Sequence, residues 1–149
     1  MSEASNPRIR VVLRWLQILD TLDPAWKESG EFVFRTKVLT GGTPGKVTET
    51  RLPEEGHWDV RADPQYNRLN HLDRVIFEGE IEGNILVVEL TGEELDTIGS
   101  NDSLVPYKRI FTGNPTSWIG RYQPGDEGQG PDAESLENWR ICYDIELAD

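Results

Sequence analysis

The chain has a single cysteine, Cys142, so it can form no intrachain disulfide and no multi-cysteine metal site. Basic residues are also scarce, because 15 Lys and Arg stand against 27 Asp and Glu and the formal net charge is -12. Nucleic-acid phosphates require a basic surface, so this balance argues against a nucleic-acid partner. It argues equally against constitutive binding to anionic membranes, unless bound cations reverse the local charge.

Long apolar runs are missing as well. No segment reaches transmembrane length, and the first residues, MSEASNPR, contain no apolar signal region. We therefore expect a cytoplasmic protein by default, with signal-independent secretion left open. The length of 149 residues predicts a flexible N-terminal arm over residues 1–7 and a single domain over residues 8–149.

Apolar and polar residues alternate in several segments, which is typical of strands with one buried face. Trp139–Leu147 has the cleanest alternation, and Arg8–Leu19, Glu31–Leu39 and Ile85–Leu90 follow the same pattern. In the first of these the alternation shifts near Leu16, which indicates a bulge. With no convincing long helix, seven or eight such strands predict an all-β fold, an antiparallel β-sandwich of about eight strands. A jelly roll is the alternative.

The same alternation predicts a core. Cys142, within the last strand, is expected to act as a small hydrophobic residue. Gly83 and Asn84 predict a tight hairpin that joins Val75–Ile81 to Ile85–Leu90. The residues expected inside, between two sheets, are Trp15, Phe32, Phe34, Val88, Trp139, Ile141 and Tyr143.

Acidic residues concentrate in two places that a sandwich can bring to the same end. One is the loop between the first two strands, and the other follows the strand that ends near Leu90. Ca²⁺ is bound by six to eight oxygen atoms, so the two loops together could form a calcium site. A solvated acidic loop without metal is the alternative. The candidate ligands are Asp20, Asp23, Glu31, Glu94, Asp96 and Asp102.

This layout resembles a C2 domain, the calcium- and lipid-binding β-sandwich. The segments Arg8–Leu19, Asp20–Gly30 and Glu31–Leu39 are similar to the long first strand, acidic loop and second strand of that family. Glu94-Leu95-Asp96 with Asp102 resembles the Asp-x-Asp of its third loop and the further Asp six residues on. The resemblance covers roughly residues 8–111, with 139–147 as a closing strand, and implies a C2-like Greek key that binds Ca²⁺ through the six acids.

Two departures from the C2 pattern qualify what the resemblance implies. Glu94 stands where the family has Asp, and a contiguous Lys/Arg cluster of the kind used by lipid-binding members is missing. Membrane contact is therefore expected only if it depends on calcium, and a protein partner is favoured.

Catalytic motifs are also missing. His57 and His71 lie in polar segments without a metal-protease motif, and the chain has no G-x-S-x-G elbow and no phosphate-binding glycine loop. We therefore predict no enzyme. The predicted function is a calcium-binding interaction module, and the alternative is a metal-free β-sandwich that serves as a structural or assembly protein.

Overall fold

A computed structural model describes residues 7–18, 29–41, 45–61, 68–95, 102–124 and 139–148 of the chain. These residues form strands and one short 3-10 helix, Pro115–Trp118, and contain no α-helix. No helix in this part of the chain is long and apolar enough to cross a membrane. The strands are β1 (Arg8–Ile18), β2 (Ser29–Thr40), β3 (Lys46–Leu52), β4 (Trp58–Arg61), β5 (Arg68–Leu69), β6 (Arg74–Glu80), β7 (Ile85–Glu94), β8 (Asp102–Ser103), β9 (Tyr107–Thr112), β10 (Gly120–Tyr122) and β11 (Trp139–Leu147).

The strands form two antiparallel sheets that pack face to face. In the five-stranded sheet β1 lies between β11 and the pair β5 and β6, and β10 extends the sheet beyond β11. In the six-stranded sheet β2 and β7 form the centre, with β3 and β4 beside β2 and with β8 and β9 beside β7. Four of the strands contain only two to four residues. The predicted antiparallel sandwich is confirmed.

β1 contains a bulge at Arg14, because its register with β11 shifts between Leu13 and Trp15. The extra residue moves the inward face by one position, so Leu13 and Leu16 are both fully buried. Trp15 instead points outward, where the guanidinium of Arg68 lies 3.8 Å from the centre of its ring. The predicted bulge is present two residues before Leu16, and the prediction that Trp15 belongs to the core is wrong.

The predicted hairpin between β6 and β7 is also wrong, because the two strands belong to different sheets. Gly83 and Asn84 do form a turn, with φ angles of 73° and 52°. Before this turn the amide of Ile81 donates to the carbonyl of Pro7 over 3.0 Å, which holds the chain on the five-stranded sheet. After it, the hydroxyl of Thr40 in β2 donates to the carbonyl of Ile85 over 2.8 Å. The turn therefore carries the chain from one sheet to the other.

The core lies between the sheets and is rich in aromatic rings. Phe34 from one sheet stacks on Trp139 from the other, with ring centroids 5.9 Å apart and planes 16° apart. Cys142 is fully buried, as predicted. The predicted core residues that the structure confirms as buried are Phe32, Phe34, Val88, Trp139, Ile141 and Tyr143.

Gly92 in β7 marks the closest approach of a strand to its neighbours. A Cβ atom there would lie 2.7 Å from Cδ1 of Leu104 and 2.8 Å from Cδ1 of Phe34. We expect Gly92→Ala to lower the free energy of unfolding in urea by about 1–2 kcal/mol, because the core has no space for the methyl group. The matched control is Gly79→Ala, whose Cβ would meet only Phe77 at an ordinary 3.5 Å. Equal effects of the two substitutions would contradict this prediction.

Candidate functional site

Three of the predicted ligands come from strands that meet at one end of the six-stranded sheet. This end, where β2 begins and β7 ends, is called the acidic end below. Phe32 of β2 pairs with Glu94 of β7, and the amide of Leu95 donates to the carbonyl of Glu31 over 2.7 Å. On the other side of β7, Asp102 pairs with Glu94. The fold thus brings the backbones of Glu31, Glu94 and Asp102 together from distant parts of the sequence.

The side chains of Glu31 and Glu94 nevertheless lie on opposite faces of this sheet. Glu94 follows Leu90 and Gly92 on the inward face of β7 and is 8% exposed. Glu31 precedes the inward Phe32, so its carboxylate points outward, as the alternation of a strand requires. Asp20, Asp23 and Asp96 lie outside the described residues. The six-residue ligand set stays a prediction.

Outside the sheet, Glu31 belongs to a cluster that sequence reasoning missed. Nε2 of His57 lies 3.0 Å from Oε2 of Glu31 and 3.4 Å from Oδ1 of Asp59. One ligand atom from each residue lies within 4.8 Å of the other two. The cluster forms because β4 pairs with β2 and sets Asp59 directly opposite Glu31. A strand around Trp58–Arg61 is predictable from the sequence, but its pairing partner is not.

The donor atoms of this cluster suit two kinds of cation. The carboxylates of Glu31 and Asp59 supply oxygen atoms, which Ca²⁺ prefers, although a full calcium shell requires more oxygens than these. The imidazole nitrogen of His57 is a ligand for Zn²⁺ and similar metals, with carboxylates as its companions. The described residues therefore fit part of a calcium site and add one nitrogen that calcium does not require.

The outer face of the five-stranded sheet carries arginines, but acids neutralise them. Arg10 contacts Glu146 at 2.9 Å and Glu78 at 3.2 Å. Arg14 donates to Asp144 over 2.7 Å. This pairing fits the predicted lack of a basic lipid-binding cluster.

Asp144 is the centre of that charged network. It accepts hydrogen bonds from Nε of Arg121 over 2.8 Å and from Nε of Arg14 over 2.7 Å, and its side chain is 14% exposed. The hydrogen bonds from Arg121 and, to a smaller extent, from Arg14 hold the pKa of Asp144 below its ordinary value, although partial burial acts in the opposite direction. The same contact with Asp144 raises the pKa of Arg14.

The one thiol of the chain is not arranged as a nucleophile. Cys142 is fully buried in β11, and burial raises the pKa of its thiol. A buried thiol with a raised pKa forms little of the reactive thiolate. Cys142 therefore has a packing role.

Comparison with known proteins bears on the fold alone. No protein-family model matches the sequence, and no curated protein matches it either. Among solved structures, a C2 domain of plant extended synaptotagmin 1, its domain A, covers 97% of this chain and 96% of its own, with a TM-score of 0.52 and 9% identity. A chain from the structure of CC2D1B, described as coordinating ESCRT-III activity during the mitotic reformation of the nuclear envelope, covers 97% of this chain. This chain spans 56% of that one, with a TM-score of 0.52 and 8% identity.

Both neighbours have the architecture that the sequence resemblance implied. The chain therefore folds as a C2-like β-sandwich, and that prediction is confirmed. Because the identity is so low, the likeness establishes the fold and transfers no ligand or partner.

Proposed function

We propose that this protein is a non-enzymatic C2-like module that binds Ca²⁺ at its acidic end and thereby contacts a protein partner. A membrane would be contacted only in the calcium-bound state. The bound cation would neutralise the acids and order the two acidic loops, which creates the surface that the partner recognises. The proposed ligands are Asp20, Asp23, Glu31, Glu94, Asp96 and Asp102.

The observation that carries this proposal is the row of acids at the acidic end. Asp59, Glu31, Glu94 and Asp102 lie on four adjacent strands, β4, β2, β7 and β8. Like charges held this close repel one another, so the arrangement is costly unless a cation or solvent offsets it. The segments with Asp20, Asp23 and Asp96 connect directly to β2 and β7 at this end, which supports their inclusion.

Calcium is expected to raise the melting temperature, because a ligand that binds only the native state stabilises it by mass action. At ten times the dissociation constant this amounts to about 1.4 kcal/mol. Thermal unfolding by circular dichroism, with millimolar Ca²⁺ and after chelation, measures it. Glu31→Gln and Asp96→Asn should each reduce the shift, whereas the exposed Glu55→Gln, outside the acidic end, should leave it unchanged. An unchanged melting curve in calcium would contradict the proposal.

The same titration with Zn²⁺ separates the two cations that the cluster suits. If the metal is zinc, the stabilisation should be lost in His57→Ala, since the imidazole is its preferred ligand. If the metal is calcium, His57→Ala should retain it, because the oxygens supply the site.

The metal-free alternative, a structural or assembly protein, predicts the opposite sign for Asp96→Asn. Removing one charge from a group of like charges then leaves stability unchanged or slightly raised. A variant at least as stable as the parent in saturating calcium would favour this alternative.

A further inference from the structure

The outward face of the six-stranded sheet carries an apolar row that crosses its four long strands. Register pairs Val47 of β3 with Leu39 of β2, Leu39 with Val87 of β7, and Val87 with Ile110 of β9. Residues directly opposite each other in neighbouring strands share a face. Val47 is 50% exposed and Ile110 is 55% exposed. The row thus presents apolar surface to solvent along the width of the sheet.

Next to the apolar row, two residues along each strand, lies a row of alternating charge. The pairs are Glu49 with Lys37, Lys37 with Glu89, and Glu89 with Lys108. The signs therefore read minus, plus, minus, plus from β3 to β9. None of the four forms an ion pair within 4.0 Å with another residue in the part of the chain that the structure describes. The row has no net charge, on a chain whose formal charge is -12.

This charge pattern is complementary to itself. A two-fold axis that runs along the strands between β2 and β7 would set a second copy face to face with the first. It would place Glu49 against Lys108 of the second copy and Lys37 against Glu89 of the second copy. All four positions would then meet an opposite charge. Such an isologous contact is the usual geometry of homodimers.

The same axis superimposes the apolar rows. Val47 would meet Ile110 of the second copy, and Leu39 would meet Val87 of the second copy. Two rows with unlike requirements are thus satisfied by one symmetry operation. A partner of uniform charge, such as an anionic membrane, would match only half of the charged row.

We infer that the outward face of the six-stranded sheet is a homodimer interface, whose occupant is a second copy of this chain. The inference does not depend on calcium binding. Strands about 4.8 Å apart and residue rows about 7 Å apart give a patch of roughly 20 by 20 Å, or about 400 Å² per copy. The total of about 800 Å² is below the roughly 1,200 Å² of stable complexes, so the dimer is expected to be weak and to form at high concentration.

The test uses two charge reversals, alone and mixed. Sedimentation of the parent chain from about 10 μM to about 1 mM should show a mass that rises from 16.9 kDa toward twice that value. Lys37→Glu should weaken the dimer at least about tenfold, because the new carboxylate faces Glu89 of the second copy. Glu89→Lys should do the same. An equimolar mixture of the two variants should dimerise again, because each reversed charge then meets its opposite.

Glu80→Lys is the matched control, since it makes the same charge change on an exposed residue of the other sheet. It should leave self-association unchanged, and circular dichroism should show that every variant is folded. Three results would overturn the inference: a parent that stays at 16.9 kDa at the highest concentration, single variants that dimerise like the parent, or a mixture that stays monomeric. Binding of a monomeric parent to phosphatidylserine vesicles, weakened by Lys37→Glu and strengthened by Glu89→Lys, would assign the face to a membrane instead.

Discussion

Replacement of Trp139 by alanine is expected to lower the free energy of unfolding by about 3–5 kcal/mol. Trp139 is fully buried and stacks on Phe34 across the two sheets. Its Nε1 also donates to the carbonyl of Val105 over 2.7 Å. The substitution removes the largest buried side chain of the core and leaves a cavity that the rigid sheets cannot close. Urea unfolding followed by circular dichroism measures the effect without relying on tryptophan fluorescence.

Trp15→Ala is the matched control for this prediction, because Trp15 lies on the same sheet but on its outer face. There it loses mainly its contact with Arg68, and cation–π contacts at exposed sites contribute about 0.5–1 kcal/mol. Trp139→Phe separates ring packing from the hydrogen bond, since it retains an aromatic ring without the N–H donor. Similar losses for Trp139→Ala and Trp15→Ala would contradict the core described above.

The strands of this fold are predictable wherever the alternation is uninterrupted. β11 is the clearest case, because the alternate residues Trp139, Ile141 and Tyr143 are all buried. β1 shows the limit: one extra residue at Arg14 reverses the faces that follow, so Trp15 points outward. A bulge inserts a residue without any distinctive side chain, and its position depends on how β11 pairs with β1.

Pairing between strands is the part that the sequence specifies least. The Gly83-Asn84 turn forms as predicted, yet a local turn signal does not determine which sheet the next strand joins. That choice depends on the burial of Ile81 and on hydrogen bonds to residues far away in sequence, such as Pro7.

The acidic end shows the same division. The inward position of Glu94 follows from the alternation of β7, in which Leu90 and Gly92 share its face, so that signal was available in the sequence. The approach of His57 and Asp59 to Glu31 was not predictable, because it results from the pairing of β4 with β2. Ligand sets built from spacing alone therefore include the right segments but miss partners from adjacent strands.

Asp144→Asn is expected to destabilise the protein by about 2–3 kcal/mol near neutral pH. Removal of one partner from a fully buried ion pair costs about 3–5 kcal/mol. The effect here is smaller because Arg121 is 57% exposed, whereas Asp144 is only 14% exposed. The variant leaves Arg14 and Arg121 without their shared carboxylate. Glu78→Gln is the matched control, because it makes the same charge change on the same sheet. Its side chain is 41% exposed, and such surface pairs contribute at most about 1 kcal/mol.

The effect of Asp144→Asn should also depend on pH in one direction. The pKa of Asp144 is lower in the folded protein than in the unfolded chain, where it is about 4. The stability that the carboxylate contributes is therefore complete above about pH 5, and it is lost as the pH falls through the folded-state pKa. Asparagine does not titrate, so the stability difference between parent and variant should shrink between about pH 5 and about pH 2.5. Urea unfolding at several pH values measures this difference. A difference that stays constant over that range would show that Asp144 acts through its shape rather than its charge.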